Sequence, residues 1–322
     1  MRATLGGAKR KRDLESARLT LGGTRRVRGR RSPARSPAFI SLAVAAFLII
    51  GAARDASARR APGRSLATRS DPISGLIDIG GYRLSIRCSG AGSPAVVLET
   101  GLSGPGRDWD RVQPRLCRSA LTCSYDRAGV GASDPRPQSH VTSSDLAQEL
   151  NALLERGGVA PPYVLVAHSI GGFTAGVYTR RYPEKIAALV LVDTTLETWP
   201  SLSDNLPEGN STLALRTSAE QVRAAGSLRR RPLIVLRHGR PVEGFTARQE
   251  LLFARGQARL ARLSSRSRQI VALRSGHDIP TTQPLLVAAA VQSVLRAYRR
   301  NANMVACPSS VTRLGGRCLG RK

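Results

Sequence analysis

The sequence predicts an α/β fold in which a mostly parallel eight-stranded sheet carries helices on both faces. Short apolar segments alternate with helical segments between about residues 75 and 300, and this alternation is typical of a parallel sheet. One apolar segment, Tyr163 to Val166, passes through Ser169 directly into a helix. The 322 residues are also enough for one large α/β domain.

The individual elements are predicted from apolar segments and from the turn residues between them. Gly80-Gly81 separates two opening strands and indicates a hairpin, and Ser143 or Ser144 is a suitable helix cap. The predicted strands are 76–79, 82–88, 95–100, 121–125, 163–166, 186–192, 232–236 and 269–273. The predicted helices are 107–118, 143–156, one from Ile170 past Tyr178, 246–263 and 284–299.

Composition divides the chain into further segments. Residues 1–58 are a basic N-terminus followed by an apolar stretch, and residues 59–74 have the Arg, Ser, Pro and Gly content of a linker. Residues 75–300 form the α/β domain, in which the polar segment at about 196–229 predicts a short lid. Residues 301–322 are expected to be a C-terminal tail.

The N-terminal apolar stretch indicates export. Ala38 to Ala53 carries no charge, follows a basic region and precedes an Ala56-Ser57-Ala58 site, which is typical of a secretory signal peptide. Its length approaches that of the shortest membrane-spanning helices, so a retained single-pass transmembrane anchor is the alternative. The Ala-x-Ala site favours cleavage. In both cases this segment engages the membrane or the export machinery, and the domain is secreted or lies in the cell envelope.

The formal net charge of +28 comes mostly from arginine spread along the chain. Nucleic-acid binding, attraction to an anionic envelope surface and arginine-rich coding bias are the three explanations. Nucleic-acid recognition usually combines a basic stripe with stacking aromatics or a known module. Aromatic residues make up only 4% of the chain and no such module is found, so no specific nucleic-acid partner is expected. The sequence does not indicate an oligomeric state.

The five cysteines do not have the spacing of zinc ligands, and histidines are few, so no metal site is expected. In an oxidising compartment some cysteines would pair. A bond between Cys307 and Cys318 would close a short segment of the tail. Two of Cys88, Cys117 and Cys123 are also expected to bond, which leaves one thiol free. The alternative is that all five are reduced packing residues.

Candidate chemical residues follow the predicted strands, where the active site of a parallel α/β sheet lies. Ser169 stands at a strand-to-helix corner between the small residues Ala167 and Gly171. This is the nucleophile-elbow pattern Gly-x-Ser-x-Gly, with alanine as a small replacement for the first glycine. A serine hydroxyl needs a base within hydrogen-bond reach, and that base needs a carboxylate to fix its tautomer. Asp193 and His277 follow later strands.

The chain order serine, acid, histidine is that of the α/β-hydrolases, and residues from about 76 to 300 resemble a bacterial serine hydrolase of this family. The resemblance implies Ser169 as the nucleophile and His277 as the general base. His168 is expected to point away from the elbow tip and to pack, and His140 and His238 are expected to be surface or loop residues. The matching motifs are Val97-Leu98-Glu99-Thr100-Gly101-Leu102, Tyr125-Asp126-Arg127-Ala128-Gly129-Val130-Gly131, Ala167-His168-Ser169-Ile170-Gly171-Gly172, Leu191-Val192-Asp193 and Ser275-Gly276-His277.

The remaining site residues are also implied by this resemblance. The oxyanion hole requires two backbone amides, for which Ile170 and Leu102 are the candidates. The triad acid often follows the seventh strand in the family, but that loop here contains Glu243 and no aspartate. Asp193 is therefore the preferred acid, because Glu243 lies further from its strand end. Asp126 and Arg127 are expected to form a structural ion pair at the rim of the site.

The expected function is that of a serine hydrolase, with carboxylic esters as the most suitable small-molecule substrates. A serine nucleophile argues against dehalogenase and epoxide hydrolase chemistry, which use an aspartate. The sequence contains no glycine-rich phosphate loop and no metal-ligand motif, so no cofactor is expected. An acyltransferase, a peptidase or a non-catalytic binding protein on the same scaffold are the alternatives, since fold alone does not select among them.

Overall fold

The structure is a computed structural model that describes residues 73–195, 203–224, 228–304 and 307–320. The predicted basic N-terminus and export segment lie outside the described residues, as do the linker up to residue 72 and parts of the predicted lid. The first strand begins at Ser74, the last residue that the sequence assigned to the linker.

The described residues form a nine-stranded sheet in the order β1-β2-β4-β3-β6-β7-β10-β11-β12. Strands β4, β3, β6, β7, β10 and β11 run parallel, whereas β2 and β12 pair antiparallel with their neighbours. The strands are β1 Ser74–Asp78, β2 Arg83–Ser89, β3 Ala95–Glu99, β4 Thr122–Tyr125, β6 Tyr163–His168, β7 Ile186–Val192, β10 Leu233–His238, β11 Ser267–Ala272 and β12 Gly316–Leu319.

The prediction of eight strands was therefore one strand short. The additional strand, β12, lies in the predicted tail and pairs with β11 from Ala272 to Gln269. Its four residues are too few to show a strand pattern in the sequence. It is held at the sheet edge by the disulfide between Cys307 and Cys318 and by the buried side chain of Val311.

Helices cover both faces of the sheet, as predicted. Along β6, Val164 and Val166 pack into one apolar cluster, whereas Leu165 and Ala167 pack into a second on the opposite face. This alternation is what a strand buried on both faces requires. The helices are α1 Gln113–Leu116, α2 Ser143–Arg156, α3 Gly171–Arg181, α4 Leu215–Arg223, α5 Ala247–Ala261, α6 Ile279–Thr282, α7 Pro284–Arg299 and α8 Ser309–Arg313.

Two predicted segments differ from the structure. The expected helix 107–118 is a 3₁₀ turn, Gly106–Trp109, followed by the short α1, because Pro114 can only begin a new helical turn. The predicted irregular segment 196–229 contains a hairpin of β8, Leu206–Glu208, and β9, Ser211–Leu213, followed by α4. These strands join β5, His140–Val141, in a second, three-stranded sheet.

The cysteines adopt the expected arrangement. Cys88 and Cys123 are directly opposed on β2 and β4 and form a disulfide, and Cys117 is a free thiol. Among the helices that the structure describes, none is long and apolar enough to cross a membrane.

Candidate active site

Ser169 occupies a strained corner between β6 and α3. Its φ of +52° lies in the left-handed region, where non-glycine residues are uncommon and frequently functional. A Cβ on Gly171 would lie 2.3 Å from the carbonyl oxygen of Thr100, so only glycine allows α3 to approach β3 this closely. Ala167 is fully buried, in agreement with the expectation that a small residue is needed here.

The structure brings Ser169, His277 and Asp193 together. The Nε2 atom of His277 lies 2.9 Å from Oγ of Ser169, and its Nδ1 atom lies 2.8 Å from Oδ2 of Asp193. Asp193 directly follows β7 and is completely buried, whereas His277 is 41% exposed. Glu243, the alternative acid, is exposed on the loop after β10, while Asp193 occupies the position beside the histidine.

His238 also contacts Asp193, which contradicts the expectation that it is a surface or loop residue. It is the last residue of β10 and its side chain is 2% exposed. Its Nδ1 atom lies 2.9 Å from both carboxylate oxygens of Asp193, and its backbone N–H donates to Oδ1 at 2.7 Å. On the other side of the ring, Nε2 lies 2.8 Å from Oε2 of Glu250.

This surrounding explains the electrostatics of the buried acid. Burial alone would raise the pKa of Asp193, but hydrogen bonds from His238 and His277 outweigh burial and hold the pKa below its usual value. For His238, burial lowers the pKa, but the carboxylates of Asp193 and Glu250 reverse that effect and the pKa is raised. Asp193 is therefore ionised at neutral pH.

His168 packs against His277, in agreement with the expected packing role, and its partner in that packing is a residue of the site. The two ring centroids are 4.9 Å apart, and Nε2 of His168 lies 3.0 Å from the backbone oxygen of His277. Burial, followed by repulsion from His277, lowers the pKa of His168 to about 4. The ring is thus neutral at pH 7, and in the Nε2–H tautomer it donates to that carbonyl.

The loop after β3 lies against the serine. A Cβ on Gly101 would be 3.3 Å from Cβ and 3.8 Å from Oγ of Ser169, and the next residue is Leu102. The backbone amides of Leu102 and Ile170 have no hydrogen-bond acceptor among the residues that the structure describes. The site thus has two backbone N–H donors without an acceptor: that of Ile170, the residue after Ser169, and that of Leu102, in the loop that lies against Ser169.

Arg127 fixes this loop through a buried network, and it does not pair with Asp126 as the sequence suggested. Its guanidinium lies 2.9 Å from Glu99 and 2.9 Å from Glu208, and its Nη2 donates to the carbonyl of Gly101. Glu208 in turn accepts a hydrogen bond from the backbone N–H of Ser103 at 2.9 Å. Leu102 is therefore held from both sides.

Asp126 has a different structural role. Its carboxylate accepts hydrogen bonds from the backbone N–H groups of Gly106 and Ala132 and so joins two loops. Glu99, one of the two carboxylates that contact Arg127, has an unusual pKa: burial raises it to about 7, although Arg127 and a hydrogen bond from Tyr125 oppose the effect.

Sequence reasoning missed His238 and Glu208 for different reasons. His238 had a detectable signal, since it stands at a strand end where the family's acid is often found. Glu208 had none, because a glutamate within a polar segment normally indicates solvent exposure. Within the part of the chain that the structure describes, no three or more His, Cys, Asp or Glu side chains are arranged so that they could hold a metal ion.

The arrangement has a definite chemical capacity. A hydroxyl, an imidazole and a buried ionised carboxylate lie in one hydrogen-bonded line, so the imidazole can accept the hydroxyl proton while the carboxylate stabilises the cation that forms. The unused amides of Ile170 and Leu102 are suited to an oxyanion.

Comparisons with known proteins agree with this architecture. The protein-family model described as alpha/beta hydrolase fold matches residues 94–241. This range includes Ser169 and Asp193 and ends before His277. YqjL from Bacillus subtilis (strain 168) is 28% identical over 218 residues, which cover 64% of this chain and 85% of YqjL.

A second relative, the putative carbamate hydrolase RutD from Cronobacter sakazakii (strain ATCC BAA-894), is 35% identical over 113 residues. The match covers 35% of this chain and only 40% of RutD. Among solved structures, a thermophilic esterase from Thermogutta terrifontis matches with a TM-score of 0.55 and 21% identity, covering 70% of this chain and 98% of that chain. The sheet order, the elbow and these matches together show that the chain has the α/β-hydrolase fold.

Proposed function

We propose that the protein is a serine hydrolase that cleaves small carboxylic esters through an acyl-serine intermediate. The observation that carries the proposal is the hydrogen-bonded line from Oγ of Ser169 through His277 to Asp193, with distances of 2.9 and 2.8 Å. In this line Ser169 is the nucleophile, His277 the general base and Asp193 the acid that orients it.

In the first half of the reaction Oγ of Ser169 attacks the ester carbonyl carbon, and Nε2 of His277 takes the hydroxyl proton. The carbonyl oxygen becomes an oxyanion, which accepts hydrogen bonds from the amides of Ile170 and Leu102. His277 then gives its proton to the leaving alcohol as the ester C–O bond breaks. The product that stays on the enzyme is the serine ester.

In the second half a water molecule attacks the serine ester. His277 accepts a proton from the water and returns it to Oγ of Ser169 when the acid product leaves. Asp193 stays ionised throughout, and its low pKa supports this role. The Arg127 network supports the amide of Leu102 in both halves, because it holds the residues on either side.

The comparisons support acyl transfer without selecting the acyl group. The matching structure from Thermogutta terrifontis is named an esterase, and the relative from Cronobacter sakazakii is named a putative carbamate hydrolase. Carbamates are therefore the second substrate class to test.

We also propose that the domain works outside the cytoplasm, since an apolar stretch and an Ala56-Ser57-Ala58 site precede it. Sequencing the N-terminus of the mature protein tests this proposal.

The function is tested with a fluorophosphonate probe and a substrate panel. We expect the probe to label the wild type and not Ser169→Ala, and a folded wild type that takes no label would exclude a catalytic serine. Short-chain chromogenic esters, their amide analogues and matching carbamates then separate an esterase from a peptidase or a carbamate hydrolase. Added alcohol acceptors reveal acyltransferase activity through the ester products that form.

A further inference from the structure

His238 lies between two carboxylates, with one at each ring nitrogen. Asp193 is 2.9 Å from Nδ1, and Glu250 is 2.8 Å from Nε2. Glu250 is fixed in turn, because its Oε1 atom accepts the backbone N–H of Val242 at 2.7 Å. It also lies in the first turn of α5, where the helix dipole favours a negative charge.

The two contacts determine how many protons His238 carries. A neutral imidazole has one N–H donor and one acceptor nitrogen, whereas the imidazolium has two donors. Two ionised carboxylates at 2.8–2.9 Å, one at each nitrogen, can both be satisfied only by the imidazolium. The ring of Phe253 stacks on His238 with centroids 4.8 Å apart and excludes water from that side.

We propose that His238, held as an imidazolium by Glu250, is a positioning residue that fixes the carboxylate of Asp193 in the orientation required by His277. The inference rests on the proposed function, since it assigns a role within the same site. The ring and the backbone N–H of His238 both hydrogen-bond the carboxylate of Asp193. These bonds prevent the carboxylate from rotating away from His277.

The charges are consistent with this role. Asp193 and Glu250 together carry two negative charges, and the His238 cation between them leaves a net charge of −1, the same as one carboxylate. His277 therefore faces a group with a net negative charge, which stabilises the imidazolium that forms when His277 accepts a proton. Among the described residues, Arg237 also donates from Nη1 to the backbone oxygen of His238 at 2.9 Å, a main-chain contact that leaves both ring nitrogens to the carboxylates.

The protonation state is tested by NMR on the full chain labelled with ¹⁵N-histidine. The chain has only four histidines, so single substitutions assign the ring signals. We expect both ring nitrogens of His238 to be protonated at about pH 7, and we expect Glu250→Gln to remove one of these protons. A singly protonated His238 in the wild type, or an unchanged ring in Glu250→Gln, overturns the proposal.

The positioning role is tested by kinetics with a chromogenic ester. We expect His238→Gln, which keeps one N–H donor, to lower kcat about tenfold with KM unchanged, and His238→Phe to lower it further. Glu250→Gln should lower kcat in the same direction, whereas Glu184→Gln, which removes an exposed carboxylate, should not. Wild-type kcat in His238→Gln, or an effect on KM alone, contradicts the role.

The readouts also separate this inference from the proposed function. If the wild type neither hydrolyses esters nor reacts with a fluorophosphonate, the proposed function fails. In that case the NMR signal of the proton on Nδ1 of His277 still reports the hydrogen bond to Asp193. If His238 positions Asp193, we expect the chemical shift of this proton to differ between the wild type and His238→Gln, and this measurement requires no catalytic activity. An unshifted proton would reject the positioning role. Should His238→Phe fail to fold, His238→Gln and the ring signals decide the question.

Discussion

The Nδ1 atom of His277 lies 2.8 Å from Oδ2 of Asp193, although 84 residues separate the two along the chain. They meet because β7 and β11 run parallel in one sheet, so that both residues follow strands at the same edge. The carboxylate is wholly buried, and the side chains at hydrogen-bond distance from it among the described residues are those of His277 and His238.

Exchange of Asp193 for Asn should nearly abolish activity. The amide group has only one acceptor oxygen for two histidine rings and the His238 N–H, and it cannot stabilise the imidazolium of His277. We expect kcat for a chromogenic ester to fall on the order of 10³- to 10⁴-fold. Glu243→Gln is the matched control, because Glu243 is exposed, and we expect it to keep wild-type kcat. The reverse result would make Glu243 the acid.

Arg127→Met should destabilise the protein strongly. The substitution leaves Glu99 and Glu208 without their cation, and both side chains are at most 1% exposed. Removing one partner of a buried ion pair costs about 3–5 kcal/mol, to be measured by urea unfolding. Arg83→Met is the control, because the ion pair of Arg83 with Asp134 is exposed and is worth at most about 1 kcal/mol.

The same substitution should slow the reaction with the fluorophosphonate probe. Without Arg127 the carbonyl of Gly101 loses its donor, so the loop that carries the amide of Leu102 is less well fixed. We expect slower labelling of Ser169 in the folded fraction of Arg127→Met and unchanged labelling in Arg83→Met. Equal rates in the two variants would show that the network serves stability alone.

The elbow could be predicted from the sequence because its constraints are local. Ser169 needs a sharp corner, small neighbours and an adjoining strand and helix, and each of these leaves a mark within ten or so residues. The central strands could be predicted for a similar reason, since each is a short apolar segment that alternates with a helix along the chain. What the sequence could not show depends on contacts between distant segments. Glu208 is a polar residue in a polar segment, and only the folded chain places it beside Arg127.

His238 illustrates a different limit. A histidine at a strand end is equally compatible with a surface position, a packing role and a contact with the active site. The choice depends on Glu250, twelve residues further on, and on Asp193, which belongs to another strand. The ninth strand, β12, was missed because its four residues are too few to show a periodicity, and its pairing depends on β11 and on the bond between Cys307 and Cys318.

Gly171→Ala should disrupt the elbow. The new Cβ would lie 2.3 Å from the carbonyl oxygen of Thr100 and 2.8 Å from Cγ of Glu99, and the carbonyl oxygen can move only if the backbone at the end of β3 shifts. We expect a loss of about 1–3 kcal/mol in unfolding free energy, together with little labelling of Ser169 by the fluorophosphonate.

Gly276→Ala is the matched control for this glycine. Gly276 also stands beside a proposed catalytic residue, His277. A Cβ added to Gly276 would have its nearest contact with the carbonyl oxygen of Pro241, at an ordinary distance of 3.8 Å. We expect Gly276→Ala to keep wild-type activity and stability.

Ala167→Gly gives the more common elbow sequence. It should lower the unfolding free energy by no more than about 1 kcal/mol, since glycine has greater freedom in the unfolded chain. A strongly destabilised Ala167→Gly would mean that the methyl group has a specific packing role.

The raised pKa of His238 predicts a particular dependence of stability on pH. Because the pKa in the folded protein lies above the unfolded value of about 6.5, the folded state binds more protons between these two values. The stabilisation is therefore fully present below about pH 6.5 and is lost as the pH rises through the folded pKa. The low pKa of Asp193 acts in the opposite range: its contribution is lost only as the pH falls below about 3.8.

Urea unfolding of the wild type and of His238→Gln between about pH 6 and pH 9 measures this effect. We expect the difference in unfolding free energy to be largest near pH 6 and to shrink by up to about 1.4 kcal/mol per pH unit as His238 loses its proton. Glu99, with a pKa of about 7, titrates in the same range but is present in both proteins, so its contribution cancels. Parallel curves over the whole range would mean that His238 is not protonated between Asp193 and Glu250.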